Sequence, residues 1–330
     1  MAKYCVIGSN SFSGQDFVDL LLDDPGREVI GVSRSPEAPS HMLRYRTKSD
    51  LSRFRFHQFD MNHDAPALAE FLNRERPDYI VNFAAQSEVA PSWEYPDDWF
   101  ETNTVGLAKL VNNLRRQTWL KRYLHISSPE AYGSCVGTVT EEMPDNPSTP
   151  YAASKSAADM LIGVYQKQYG FPATYIRATN VYGARQQLFK IIPRTAIFLK
   201  RGQRIQLHGG GVAVKSYIHV RDVSHGELAV LHGGEIGQRY HLSPDGGIAV
   251  RDVVRTICGR LGYAFEDSVE IVAERPGQDA AYVISSEKAR RAFGWRPEIR
   301  FEDGISDVID WIEANWLKIA DKDIEYVHKA

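Results

Sequence analysis

The first apolar run of this chain, Tyr4 to Ile7, ends in Gly8-Ser9-Asn10-Ser11-Phe12-Ser13-Gly14, and a helical pattern follows at once near residues 14 to 23. That junction constrains the fold more than any other stretch. Gly8 permits a tight turn, Gly14 lets helix and strand approach closely, and the amides and positive dipole end at a helix start suit a pyrophosphate. An ordinary strand-to-helix turn has the same look, and the middle glycine expected of a dinucleotide loop is Ser11 here. The unit then repeats: Glu28 to Val32, Phe54 to Phe59, Tyr79 to Phe83, Arg122 to Ile126 and Thr174 to Arg177 read as strands, with helical stretches near 65 to 74, 97 to 116 and from Tyr151.

Strands alternating with helices predict an α/β protein, a Rossmann-type doubly wound parallel sheet whose carboxyl-end loops share one edge. The spacing assigns residues 1–176 to a dinucleotide-binding domain. Residues 177–330 form mainly a smaller α/β substrate-binding domain, with some segments returning to the sheet. Ser285 to Phe293 and Glu302 to Trp316 read as helices. A formal net charge of -3 argues against a nucleic-acid or anionic-membrane surface. Three scattered cysteines suggest neither a disulfide framework nor a zinc site, so no metal is expected and a reducing cytoplasm is the simplest compartment. No leader pattern or membrane-spanning apolar run is apparent.

Two further stretches carry chemistry. Tyr151 and Lys155 share one helix face in Tyr-Ala-Ala-Ser-Lys, after a capping Thr149 and a Pro150 suited to a first helical turn. A phenol with a pKa of about 10 is a poor base, but a neighbouring ammonium stabilises the phenolate. Alternatively, an amphipathic helix begins here with a chance Tyr and Lys. At the end of the second strand stands Ser33-Arg34-Ser35, where a carboxylate would bind free ribose hydroxyls. Arg34 and its flanking hydroxyls suit a 2'-phosphate, which favours NADP over NAD; a solvated loop arginine is the bland alternative. Asp60, before Met61, is placed to accept from an adenine amino group, or simply caps its strand.

Taken together, Gly8 to Gly14, Asn82 to Ser87, Asn103, Ser127 to Gly133, Tyr151 to Lys155, Arg177 to Gly183, Lys215 to Asp222 and Glu274 to Asp279 resemble the extended short-chain dehydrogenase/reductase family. The likeness is to its nucleotide-sugar 4,6-dehydratase and epimerase branch and covers nearly the whole chain. It implies that Gly8, Asn10, Ser11, Phe12, Gly14, Ala84, Ala85, Gln86 and Asn103 join Ser33, Arg34, Ser35, Asp60, Met61, Tyr151 and Lys155 around the cofactor. It also implies that Ser128 orients a sugar hydroxyl, Tyr151 takes its proton, and Lys155 lowers the tyrosine pKa and holds the nicotinamide ribose. Ser87, Glu88, Asn180, Lys215 and Arg275 then face the nucleoside diphosphate sugar, although Asn180 could cap a turn and Arg275 be a loop cation. Trp93 is expected beside Glu88 in the sugar pocket, with packing as the alternative.

Within that resemblance Glu130 narrows the reaction. Once sugar C-4 is a ketone the C-5 proton is acidic, and a carboxylate beside it removes that proton. The implied activity is 4,6-dehydration with internal hydride return. Epimerisation or sugar-acid decarboxylation through the same ketone is the alternative, and a non-catalytic nucleotide-binding regulator is a third reading. Relatives often have aspartate before the glutamate, whereas this chain has Pro129, which offers no proton. The resemblance further implies a homodimer formed through the helices near 97 to 116 and 151 to 168.

Overall fold

The computed structural model describes residues 1–135, 137–273 and 283–329. Strands β1 (Ala2–Ile7), β2 (Arg27–Ser33), β3 (Phe54–Gln58), β4 (Tyr79–Asn82) and β5 (Arg122–Ile126) join Ala173–Ala178 and Arg239–Leu242 in one seven-stranded sheet. Its order is Arg239–Leu242, Ala173–Ala178, β5, β4, β1, β2, β3, with every neighbour parallel. The direction of winding reverses between β1 and β4, which opens a crevice at their carboxyl ends.

Side-chain alternation along β1 shows why both faces must be covered. Val6 points into a core with Phe17, Leu21, Val29, Val81, Leu124 and Val230, while Cys5 and Ile7 join Ile30, Ile80, Leu107, Leu110 and Ile162 on the other face. Burying each such aliphatic side chain contributes roughly 1.5–3 kcal/mol relative to exposure. Helix α1 (Phe12–Leu22) covers the first face beside Val220–Gly233, and helix Pro150–Tyr169 contributes to the second.

Past residue 177, Asn180–Tyr182 pairs parallel with Tyr217–His219 and Ile205–His208 with Val269–Val272. Helices Ile191–Lys200, Val250–Leu261 and Phe301–Ala314 pack there around Ile192, Ile197, Val253, Ile257, Val308 and Ile312. Val220–Gly233 and Arg239–Leu242 return to the main sheet. Among the described residues no helix is long and apolar enough to cross a membrane, and no group of three or more His, Cys, Asp or Glu could hold a metal ion.

Candidate active site

Each wall of the crevice is held by the residue that the local backbone requires. Gly8 has φ +86°, and a Cβ there would lie 2.6 Å from the Ala84 amide nitrogen; one on Gly14 would lie 2.3 Å from the Gly8 carbonyl. Both positions therefore exclude any side chain, which keeps the loop ends of β1 and β4 in contact. Ser11 caps α1, its hydroxyl accepting from the Gly14 amide at 3.0 Å. Asn10 fastens the loop after β2: its side-chain amide donates to the carbonyls of Ser35 and Pro36, and its own oxygen accepts from the Ala38 amide.

A cavity at this edge is lined by Gly8, Asn10, Ser11, Ser33, Arg34, Ser35, Asp60, Met61, Ala84, Ala85 and Gln86. Asn103 stands behind it. Its amide oxygen accepts from the Gln86 N–H at 2.9 Å, and its amide nitrogen donates to the Gln86 carbonyl and the Ser154 hydroxyl. Asn103 thus shapes the loop after β4 from the buried side. It sits in a π-helical turn, Glu101–Gly106, within the stretch read as one helix near 97 to 116. The glycine cradle, the helix start and the polar lining fit a nicotinamide dinucleotide.

Phe12, Ser87, Ser127, Tyr151, Lys155 and Asn180 line an adjoining cleft. Helix Pro150–Tyr169 is capped by Thr149, which accepts from the Ala152 amide at 3.1 Å, and it carries Tyr151 and Lys155 one turn apart. Lys155 is buried, and its ammonium donates to the Ile126 carbonyl at 2.7 Å. Burial lowers its pKa to about 8, Asp159 opposing that shift and Arg177 adding to it. Burial raises the Tyr151 pKa, helped by Glu130, Glu88 and Asp159, while a hydrogen bond with Ser128 pulls it down.

Ser128 caps the short 3-10 turn Pro129–Tyr132, its hydroxyl accepting from the Glu130 amide at 3.2 Å. Pro129 occupies the first position of that turn, where no N–H is needed. Beneath lies a buried charge network. Asp159 accepts from the Ser127 hydroxyl at 2.7 Å and from Arg177 at 2.6 Å, and Arg177 also pairs with Asp145.

Two expected contacts fall elsewhere. Lys215 lies in the two-residue strand Val214–Lys215, paired with Ile248–Ala249, and does not line the cleft. Trp93 is 61% exposed and is also absent from its walls, because the turn Ala90–Trp93 points it outward. Arg275 lies outside the described residues. Glu88 is ion-paired with Lys190 at 2.7 Å. Lys190, Gln186 and Tyr217 line the cleft as well; the first two lie in the irregular Gln186 to Arg204 stretch that sequence reading linked to the nucleotide base, where no periodicity singles out individual side chains.

A dinucleotide cavity at the sheet crossover, opening beside a Tyr-Lys pair, defines an NAD(P)-dependent enzyme of the extended short-chain dehydrogenase/reductase class. The chain belongs to the GDP-mannose 4,6 dehydratase family, whose model matches residues 5–308. It is 30% identical over 339 residues to dTDP-glucose 4,6-dehydratase 1 of Escherichia coli (strain K12), covering 95% of this chain and 93% of that one. The dTDP-glucose 4,6-dehydratase DesIV of Streptomyces venezuelae, solved with NAD bound, superposes with a TM-score of 0.86 at 32% identity over 95% of this chain and 97% of its own. A UDP-glucuronic acid 4-epimerase from Bacillus cereus shares the fold, with a TM-score of 0.86 at 22% identity over 94% of this chain and 99% of its own. This protein is accordingly an enzyme of the NAD(P)-dependent nucleotide-sugar dehydratase and epimerase type.

Proposed function

We propose that the protein converts a nucleoside diphosphate hexose to its 4-keto-6-deoxy form. A nicotinamide dinucleotide, which Gly8, Ser11, Gly14 and the polar lining of the cavity would hold, would supply the hydride acceptor for C-4 and the hydride donor later in the same turnover. Tyr151 takes the C-4 hydroxyl proton, with Ser128 orienting that hydroxyl and Lys155 supplying the cation beside the nicotinamide ribose. Glu130 then removes the C-5 proton. The observation that carries this reading is the placement of Glu130 on the turn capped by Ser128, with its charge acting on Tyr151. Simple C-4 epimerisation needs no such carboxylate.

Pro129 offers no acid for the departing C-6 hydroxyl. Elimination then uses the proton Glu130 has taken, or an ordered water, and the same proline keeps epimerisation as the second reading. The Glu130→Gln variant separates the two. It is expected to oxidise C-4 but to stop deuterium entering C-5 from heavy water; exchange equal to that of the parent enzyme contradicts the role given to Glu130.

NADP is the proposed cofactor. No carboxylate ends β2, and Ser33, Arg34 and Ser35 all line the cavity; NAD, bound in the DesIV structure, is the alternative. Calorimetry with each dinucleotide decides, a clear NAD preference overturning the proposal. The substrate proposed for the second cleft is a nucleoside diphosphate sugar, met by Ser87, Glu88 and Asn180. A cytoplasmic homodimer completes the reading, supported by the buried thiols of Cys5 and Cys258, which form no disulfide, and by Met160 and Val164, 62% and 61% exposed on the 150–169 helix.

A further inference from the structure

Residues 321–329 have no regular structure, yet they run from the second region to the mouth of the dinucleotide cavity and are fastened at both ends. At its base, Arg201 donates to the carbonyls of Ile319, Ala320 and Lys322, and Ile324 is buried in the second-region core. Glu325 pairs with both terminal nitrogens of Arg194. At its tip, one carbonyl bridges two loops. The Lys329 oxygen accepts from the Gln86 side-chain amide at 2.6 Å and from the Arg34 guanidinium at 3.0 Å. Both donors line the cavity, one on the loop after β4 and the other on the loop after β2.

Between base and tip the segment lies on an aromatic platform. The His328 ring stacks on Tyr95, with centroids 4.4 Å apart and planes 8° apart, and on Trp99 at 5.3 Å and 16°; its Nε2 lies 2.6 Å from the Asp98 carboxylate. Gln86 and Arg34 are residues that a dinucleotide reading assigns to the cofactor, so the Lys329 carbonyl bridges two residues of the cavity lining.

We propose that residues 324–329 are a wall of the dinucleotide site, a strap that retains the cofactor between turnovers. This rests on the dinucleotide-dependent reading above. A reaction that takes a hydride from C-4 and gives it back leaves the dinucleotide unchanged, so nothing in the cycle requires its release, and a closed mouth keeps water from the reduced form. The strap opens by losing side-chain contacts alone, with no strand pairing to break. Hydrogen bonds of this kind are individually weak, so closure slows exchange without forbidding loading.

The test compares the full chain, a chain ending after Tyr326, and His328→Ala, each loaded separately with reduced NADP and reduced NAD. Release is followed by nicotinamide fluorescence on dilution into excess oxidised dinucleotide. The shortened chain is expected to release its dinucleotide about tenfold faster and His328→Ala about threefold faster, the scale of one or two lost contacts. The melting temperature of the dinucleotide-free protein should stay unchanged, because Ile324 and the Arg201 bonds remain. Release within twofold of the full chain in both variants overturns the strap while leaving the cofactor reading intact. Slower release overturns it as well, by showing that the segment competes with the dinucleotide. A full chain that binds neither dinucleotide removes the cofactor reading itself, and the strap with it.

Discussion

Lys155 donates to the carbonyl of Ile126, at the end of β5, while Tyr151 shares its hydrogen bond with Ser128. The pair legible in the sequence is therefore two residues set separately, joined through what each holds. Replacing Tyr151 with Phe removes the hydroxyl hydrogen-bonded to Ser128, and hydride transfer should fall by about 10²–10⁴, the range for loss of a general base; pre-steady-state reduction of the bound cofactor measures it. The ammonium form of Lys155 is the one that favours a phenolate. With its pKa lowered to about 8, the rate should decline as pH rises through that value. The Asp159 carboxylate holds the lysine up and Arg177 pushes it down. Asp159→Asn should therefore move the falling limb to lower pH, and Asp159→Glu should keep it near the parent position. A limb that does not move contradicts the coupling. Nothing in the sequence tied Asp159 to Ser127 and Arg177, since the three come from different elements and meet only once the sheet is built.

At the scale of elements, β1 to β5 and Ala173–Ala178 were legible because each is a short apolar run bounded by turn residues, and parallel strands buried on both faces read that way. The strand Arg239–Leu242 was not. Arg239 and His241 break its apolar pattern, and His241 is buried only because Tyr132 and the Ser285 carbonyl satisfy its ring nitrogens. Helices Val220–Gly233 and Val250–Leu261 escaped for a related reason, since Gly226 in one and Gly259 in the other weaken the helical signal. The π turn Glu101–Gly106 leaves no mark in hydrophobic spacing, yet it carries Asn103. Asn103→Ala removes three hydrogen bonds, two of them to the Gln86 backbone. It should cost about 1–3 kcal/mol of stability, the price of orphaned buried groups, and weaken dinucleotide binding. Urea denaturation and calorimetry test the two effects, and binding equal to the parent's would show that the loop after β4 holds its shape without Asn103.

Across the whole molecule, the main sheet supplies the dinucleotide cavity, and the second region supplies Gln186, Lys190 and Tyr217 to the adjoining cleft. The Glu88–Lys190 ion pair joins the two. The change of pattern after residue 177 was visible in the sequence, but which side chains beyond it line the cleft was not, because they lie in short strands and turns. Exposed Met160 and Val164 give the proposed dimer an apolar face. Light scattering should report two chains per particle, and Met160→Glu with Val164→Glu should return it to one; an unchanged mass would place the interface elsewhere. On the proposed reading, Glu130 beside Tyr151 decides what the assembled cavity does to a sugar. Mass spectrometry of nucleoside diphosphate hexoses incubated with the enzyme tests it most directly. A product lighter by one water, with no net consumption of dinucleotide, is expected, whereas an unchanged mass for every sugar nucleotide, or loss of carbon dioxide from a sugar acid, would contradict 4,6-dehydration.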